Sequence, residues 1–405
     1  MDDQQQTQST NTANSALDKT VSVDISAMPA NQSSHNQQED RRIDDHSSSA
    51  TQDVAAQEIA DLKAKIEAST VPDDLKIKLE REIKLLERSV QTQNYSETYE
   101  RTFKYVNWAV GVPWDITTPD QLDLENAKQV FEKHHYGMQE VKDRILEYLS
   151  ILKFQRQSAA QASQGQESTS RAPILLLVGL VGTGKTTFAY SIAEAMSREI
   201  IRIPFGGMGS ARDLRGQSRL HLDAEPGWII KGLVEAKTRN PVMLLDEIDR
   251  VADEARRDIM GVLVELLDPR QNSAFLDHYL DYPVDLSQVL FIATANNTRD
   301  IATAVLDRVE RIDMPSYTDE EKIVIAQRYV MPRLLQEAGM DTNSLVIANE
   351  VWPTMVRPLG FDAGLRTLER NLKGAVAKAA RLRLEQNLSQ VVITPDNVKQ
   401  FLPTY

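Results

Sequence analysis

The amino-acid sequence predicts an α/β fold: a parallel sheet flanked by helices, followed by a small helical lid domain and preceded by a helical or coiled-coil arm and a disordered polar tail. Three observations carry this prediction. Between Ile174 and Met314, short and continuously apolar runs alternate with helical segments, as buried parallel strands and their crossover helices do. The first of those runs leads directly into a glycine-rich turn that opens a helix. After Thr318 the apolar residues return to helical spacing.

Residues 1–55 are rich in Gln, Asn, Ser, Thr and Asp and poor in large apolar side chains, too little to offset the entropy of ordering, so a disordered tail is expected. The helical arm is assigned to 56–118. Ile59, Leu62 and Ile66 lie at helical spacing, Ser69-Thr70-Val71-Pro72 punctuates, and Leu75, Leu79, Ile83, Leu86 and Val90 recur at intervals of three and four. Tyr105, Trp108, Val110, Val112, Pro113 and Trp114 read as an aromatic junction that seats the arm. The α/β domain is assigned to 119–315. Gln121 to Phe154 reads as two helices broken near His135-Tyr136-Gly137, and 155–170 as a Gln- and Ser-rich loop. Strands are expected at Ile174–Val178, Ile201–Phe205, Val242–Leu245, Val289–Thr294 and Arg311–Met314. The lid domain, 316–405, is expected to hold helices over Glu320–Ala338, Ala348–Val356, Leu365–Leu388 and Pro395–Leu402, with a short strand at Val391-Val392-Ile393.

Composition narrows the function classes. Lys and Arg total 46 against 59 Asp and Glu, a net charge of −13, which disfavours general nucleic-acid binding. The absence of cysteine removes disulfides, thiolate metal sites and cysteine nucleophiles. No apolar stretch is long enough to span a bilayer and no leader pattern is visible, so the expected location is the cytoplasm.

The chemistry lies in two stretches. Gly179-Leu180-Val181-Gly182-Thr183-Gly184-Lys185-Thr186 fits the phosphate-binding P-loop pattern and has a strand before it and a helix, beginning with Thr187, after it. Glycines let backbone N–H groups curl round phosphates at the positive end of a helix, Lys185 reaches the β and γ phosphates, and Thr186 holds Mg²⁺. Val242 to Leu245 then delivers Asp246 and Glu247 to the carboxyl edge of the sheet, where ligands bind. Asp246 is expected to bind Mg²⁺ through water and Glu247 to polarise the attacking water. A strand ending in Asp-Glu alone is an ordinary solvated turn; paired with the P-loop it points to Mg²⁺-dependent ATP hydrolysis.

With these residues in hand, the chain resembles the AAA+ ATPase module of the ATP-dependent protease Lon family, over about Glu58 to Leu402. Val112-Pro113-Trp114, His135-Tyr136-Gly137, Phe205-Gly206-Gly207, Leu214-Arg215-Gly216, Leu266-Leu267-Asp268-Pro269, Asp277-His278-Tyr279 and Leu306-Asp307-Arg308 follow in the family's order. The resemblance implies that Tyr136 and Gly137 contact the adenine side and that Asn296, after Phe291-Ile292-Ala293-Thr294-Ala295, is sensor 1. It implies that Arg308 is an arginine finger offered to a neighbouring subunit, that Arg366 is sensor 2, and that the chain forms a hexameric ring. Taken singly, each arginine reads as a surface ion pair.

Two departures qualify the resemblance. Lon proteases continue into a Ser-Lys peptidase domain, whereas here Tyr405 closes the helical segment. The expectation is therefore an ATPase without peptide-bond chemistry of its own, either standing alone or cut from a longer protease. The substrate-gripping pore loop of the family carries an aromatic–aliphatic–glycine step, and the equivalent here is His221-Leu222-Asp223, with Trp228 close by. The leading expectation is a ring that unfolds, translocates or remodels protein in quality control. The alternatives are a regulatory or scaffold subunit that pairs with a separate peptidase or a full-length relative, and a DNA-linked ATPase, which the charge disfavours.

Overall fold

The computed structural model describes residues 39–90, 95–161, 174–221, 223–357 and 364–402. Residues 1–38, most of the expected polar tail, lie outside them. Helix α1 (Glu39–Glu67) already begins within the segment read as tail, and the compact unit that contains everything below starts at Ala55.

The arm has three helices. In α1, Ile59, Leu62 and Ile66 are buried, and in α2 (Asp73–Ser89) so are Leu75, Leu79, Ile83 and Leu86, as the spacing requires. Pro72 stands at the N-cap position of α2. The stretch read as an aromatic junction is largely a third helix, α3 (Tyr95–Gly111), which buries Thr102, Tyr105, Val106 and Ala109. Its five aromatics hide its period, because Tyr95, Tyr99 and Phe103 line up at i, i+4 spacing with adjoining rings on a face that is not fully buried, beside the face that carries Tyr105.

Helices α4 (Leu124–His134) and α5 (Gln139–Gln161) flank the expected break. Asp123 caps α4 by accepting the Glu125 N–H. The loop expected over 155–170 is helix up to Gln161, where α5 ends; residues 162–173 lie outside the described residues.

The sheet follows. Strands β1 (Ile174–Val178), β2 (Ile200–Pro204) and β3 (Val242–Asp246) are separated by α6 (Lys185–Met196), α7 (Arg212–Arg215) and α8 (Trp228–Ala236). After α9 (Arg256–Leu266), an unforeseen antiparallel hairpin, β4 (Phe275–Asp277) and β5 (Tyr282–Val284), precedes β6 (Leu290–Ala295). Helix α10 (Thr303–Leu306) leads to β7 (Val309–Asp313). The five parallel strands stand in the order β2-β3-β6-β1-β7. The two chemistry-bearing loops leave β1 and β3, and β6 lies between those strands.

Successive strand residues enter two cores. Leu176, Val178, Met243 and Leu245 face a core shared with the arm, whereas Leu175, Leu177, Val242 and Leu244 face one shared with α4, α5, α6 and the lid. Burial on both faces explains why these strands read as unbroken apolar runs.

The lid comprises α11 (Asp319–Ile325), α12 (Met331–Glu337), α13 (Trp352–Val356), α14 (Arg366–Gln386) and α15 (Val398–Phe401). A parallel strand pair, β8 (Leu345–Ile347) and β9 (Val391–Ile393), completes it; β9 was expected and β8 was not. Thr318 and Glu321 form a capping box at the start of α11. The continuous helix expected over Glu320–Ala338 is interrupted by one π-helical stretch, Ala326–Val330. Pro332, at the start of α12, has no N–H to give to the preceding turn, and the wider turn absorbs that loss.

Candidate functional site

The turn after β1 is shaped by close approach. A Cβ on Gly179 would stand 2.7 Å from both the carbonyl oxygen and the Cβ of Met314, and Met314 itself donates its N–H to Val178 O at 2.7 Å. Gly182 and Gly184 have φ of +83° and +90°, a conformation that favours glycine, and Gly184 caps α6 in that geometry. Thr183 is buried, and its hydroxyl closes the turn on Leu180 O at 2.9 Å. Thr187, the third residue of α6, is exposed.

Lys185, 7% exposed, folds back on the turn. Its ammonium donates to Gly179 O at 2.7 Å, Leu180 O at 3.0 Å and Asn296 Oδ1 at 3.1 Å. Burial lowers its pKa and nearby Arg366 does so too, against the pull of Asp249, Glu247 and Asp246. The loops after β1, β3 and β6 therefore converge on one ammonium.

Asp246 receives four hydrogen-bond donors. Oδ1 accepts from the hydroxyls of Thr294 (2.6 Å) and Thr186 (3.3 Å), and Oδ2 from Arg202 Nε (2.7 Å) and a terminal nitrogen of the same guanidinium (2.6 Å). Glu247 stands in left-handed backbone, φ +59°, and its N–H donates to Thr294 Oγ1 at 2.9 Å. Its carboxylate lies against Gly206, where an added Cβ would be 3.2 Å from Oε2, and 3.8 Å from Arg250. Asp249, also buried, takes the N–H groups of Asn296 (3.0 Å) and Asn297 (3.3 Å) on Oδ2.

Two buried atoms here lack a partner: Asn296 Nδ2 and Asp249 Oδ1. One donor and one acceptor left unmade beside a buried lysine are costly unless a polar ligand or water meets them. The donor set — a lysine, hydroxyls, an amide and carboxylates around glycine-rich backbone — suits a phosphate ester with a hard divalent cation.

The lid touches the turn directly. Leu365 donates its N–H to Gly182 O at 3.0 Å, and a Cβ on Gly364 would fall 2.2 Å from Val181 O. Arg366 begins α14 immediately beyond, with its side chain exposed. Tyr317 donates its hydroxyl to Thr183 O at 3.4 Å. The Tyr136-Gly137 turn also faces the lid: Tyr136 lies 6.0 Å from the Arg328 guanidinium, and a Cβ on Gly137 would meet Glu321 at 2.7 Å. Beneath it His135 stacks on Phe188, ring centroids 3.5 Å apart, and shares a 2.9 Å hydrogen bond with Ser191.

The structure thus gathers Gly179, Gly182, Thr183, Gly184, Lys185, Thr186, Asp246, Glu247 and Asn296 around one crevice, with Arg366 at its lid side, whereas Tyr136 and Gly137 lie against the lid residues Arg328 and Glu321. Arg308 is held elsewhere, donating to Ala304 O at 2.7 Å and pairing with Asp268 at 3.4 Å. His221 and Asp223 are exposed in a loop docked on the arm, where Arg219 pairs with Glu82 at 3.0 Å and covers the Tyr105 ring at 3.8 Å. Leu222 lies outside the described residues. Trp228 opens α8 half-exposed, 5.6 Å from the Lys231 ammonium. Sequence reasoning missed Arg202, Thr294, Asp249 and Tyr317. A charged and a hydroxyl residue within otherwise apolar strand runs were the available signals for the first two.

Residues 175–317 match the family described as "ATPase family associated with various cellular activities (AAA)". The chain is 40% identical to Lon protease 2 of Thermus thermophilus over 346 residues, which are 85% of this chain and 43% of that protein. It is 38% identical to Lon protease of Trichlorobacter lovleyi over 85% of this chain and 41% of that one, and 37% identical to Lon protease of Bacillus thuringiensis over 85% and 42%. The chain therefore spans about two fifths of the length of the curated relatives it matches. Among the described residues no helix is long and apolar enough to cross a membrane, and no group of His, Cys, Asp or Glu is arranged to hold a metal by itself.

Proposed function

The chain carries a Lon-type AAA ATPase module, and from that premise we propose that it binds and hydrolyses ATP with Mg²⁺ to unfold, translocate or remodel protein. The observation that carries this is the convergence of Lys185, Asn296 and Asp246 at the carboxyl edge of β1, β6 and β3, with Asn296 Nδ2 left unpaired. On this reading Lys185 exchanges carbonyl partners for phosphate oxygens, and the amide of Asn296 orients the attacking water. Glu247 draws a proton from that water. Thr186 and Asp246 hold the metal, which when bound supplies positive charge to the phosphates. Tyr136 and Gly137 flank the base, and Arg366 carries the nucleotide state to the lid. Arg308 serves the neighbouring subunit of a hexamer, where positive charge at the transferred phosphoryl is worth about 10³–10⁵ in rate.

The relatives are named proteases, so the remodelled polypeptide is passed to a peptidase, and the loop holding His221 and Asp223 is the element that meets it. The test is ATP turnover with and without an unfolded protein. Wild type is expected to hydrolyse ATP and to speed up with unfolded protein; Lys185→Ala is expected to lose binding, and Glu247→Gln to bind without turnover. Turnover unchanged in Glu247→Gln would refute the assigned chemistry, and indifference to unfolded protein at every concentration would refute the assigned load.

A further inference from the structure

The crevice is electrically closed before any ligand enters. Asp246, Glu247 and Asp249 bring three negative charges, and Lys185, Arg202 and Arg250 bring three positive ones, with Arg366 adding a fourth at the rim. Asp246 is the carboxylate expected to face a metal, yet it is 4% exposed and all its cleft-side capacity is taken. Thr186 and Thr294 occupy Oδ1, and Arg202 places two nitrogens on Oδ2. Arg202 reaches it from β2, where the residue level with Asp246 is Pro204, so the guanidinium extends along the strand by two residues. Its side chain is half-exposed, which leaves the guanidinium free to withdraw into solvent on its long stem.

We infer that Arg202 is the resident counter-cation of Asp246: it keeps bare divalent metal out of the crevice, so that magnesium enters only together with nucleotide phosphates. A dication arriving alone meets a neutral or positive site and must displace a charged hydrogen-bond partner. A nucleotide brings the missing negative charge, and with it the metal outcompetes a single guanidinium. The inference rests on the ATP reading of this crevice and adds to it an order of events: metal binding is contingent on phosphate. Arg202 is a positioning residue on this account, because it acts through Asp246.

The experiment is a Mn²⁺ titration of the nucleotide-free full chain, read by the electron paramagnetic resonance of the free ion. Wild type is expected to bind Mn²⁺ weakly. Arg202→Gln, which deletes one positive charge beside the carboxylate, is expected to bind one Mn²⁺ at least about tenfold more tightly. Arg202→Lys keeps the charge and is expected to stay as weak as wild type, and adding Asp246→Asn to Arg202→Gln is expected to abolish the gain. Arg202→Gln binding no tighter than wild type, or Arg202→Lys gaining as much as Arg202→Gln, would overturn the inference. Binding of a fluorescent ATP analogue in the presence of a chelator is measured in parallel. Failure of that binding in wild type counts against the nucleotide reading itself, whereas the Mn²⁺ series judges Arg202 alone.

Discussion

Thr294 illustrates how a single hydroxyl organises the crevice. It accepts the N–H of Glu247 and donates to Asp246, so one side chain sets the spacing of both carboxylate residues. Glu247 pays a steric penalty for its left-handed backbone, φ +59°, and this bond helps to hold it there. His135 is the residue with the sharpest pH consequence. Burial, with smaller contributions from His134 and Lys142, pushes its pKa down from 6.5 to about 3. The unfolded chain therefore takes up a proton that the folded chain refuses. Stability is intact above about pH 6.5 and falls as the pH drops toward 3, by up to about 1.4 kcal/mol per pH unit from this one group. Urea unfolding between pH 7 and about 5.5, above the carboxylate range, should show a shallower pH dependence in His135→Gln, which keeps a partner for Ser191. Parallel curves for the two proteins would show that His135 is not the group responsible.

At the scale of elements, the decisive contact is that of the α14 start with the P-loop. Two glycines, Gly182 and Gly364, let the two backbones meet with no side chain between them, and the Leu365 N–H closes on Gly182 O. A methyl group on Gly364 would fall 2.2 Å from Val181 O and 2.7 Å from Gly182 Cα, which are backbone atoms that cannot turn aside. Gly364→Ala is therefore expected to lift α14 from the P-loop and to weaken nucleotide binding by about tenfold or more, since geometry displaced by about 1 Å can cost about 10². The readouts are equilibrium binding of a fluorescent ATP analogue and far-ultraviolet circular dichroism. Unchanged binding by a folded variant would mean that the lid contact is incidental. The same scale explains the misread elements. The period of α3 is obscured by surface aromatics, and the break before α12 depends on how one proline is accommodated, which composition does not specify.

At the scale of the molecule, the unresolved business of Arg308 becomes a question of assembly. Within one chain it is paired with Asp268 and Ala304, away from Lys185. If it completes a neighbour's site, two inactive variants should repair each other. Mixed rings of Arg308→Ala and Glu247→Gln subunits contain interfaces in which an intact Glu247 faces an intact Arg308. Mixing is expected to restore turnover that neither variant has alone, up to about a quarter of wild type for random assembly, against a barrier term of about 10³ or more per arginine. Turnover that stays at the level of the separate variants would place Arg308 outside the chemistry of the adjoining subunit.

The sequence by itself determined the five strands of the parallel sheet, the P-loop and the carboxylate pair. A doubly buried parallel strand must be apolar at every position, and a phosphate cradle must have glycine where the backbone turns left-handed; both demands are local and leave a local trace. It also placed Asn296, Arg308 and Arg366 as candidates, through the resemblance and not through spacing. Only the tertiary structure decided which of these meet. Lys185 and Asn296 are 111 residues apart, Arg202 and Asp246 are 44, and Asp246 and Thr294 are 48. Such partners are chosen by strand order, because β3, β6 and β1 stand side by side while the chain visits them out of sequence. Strand order is a property of how the cores close on both faces of the sheet, and no short stretch of residues encodes it.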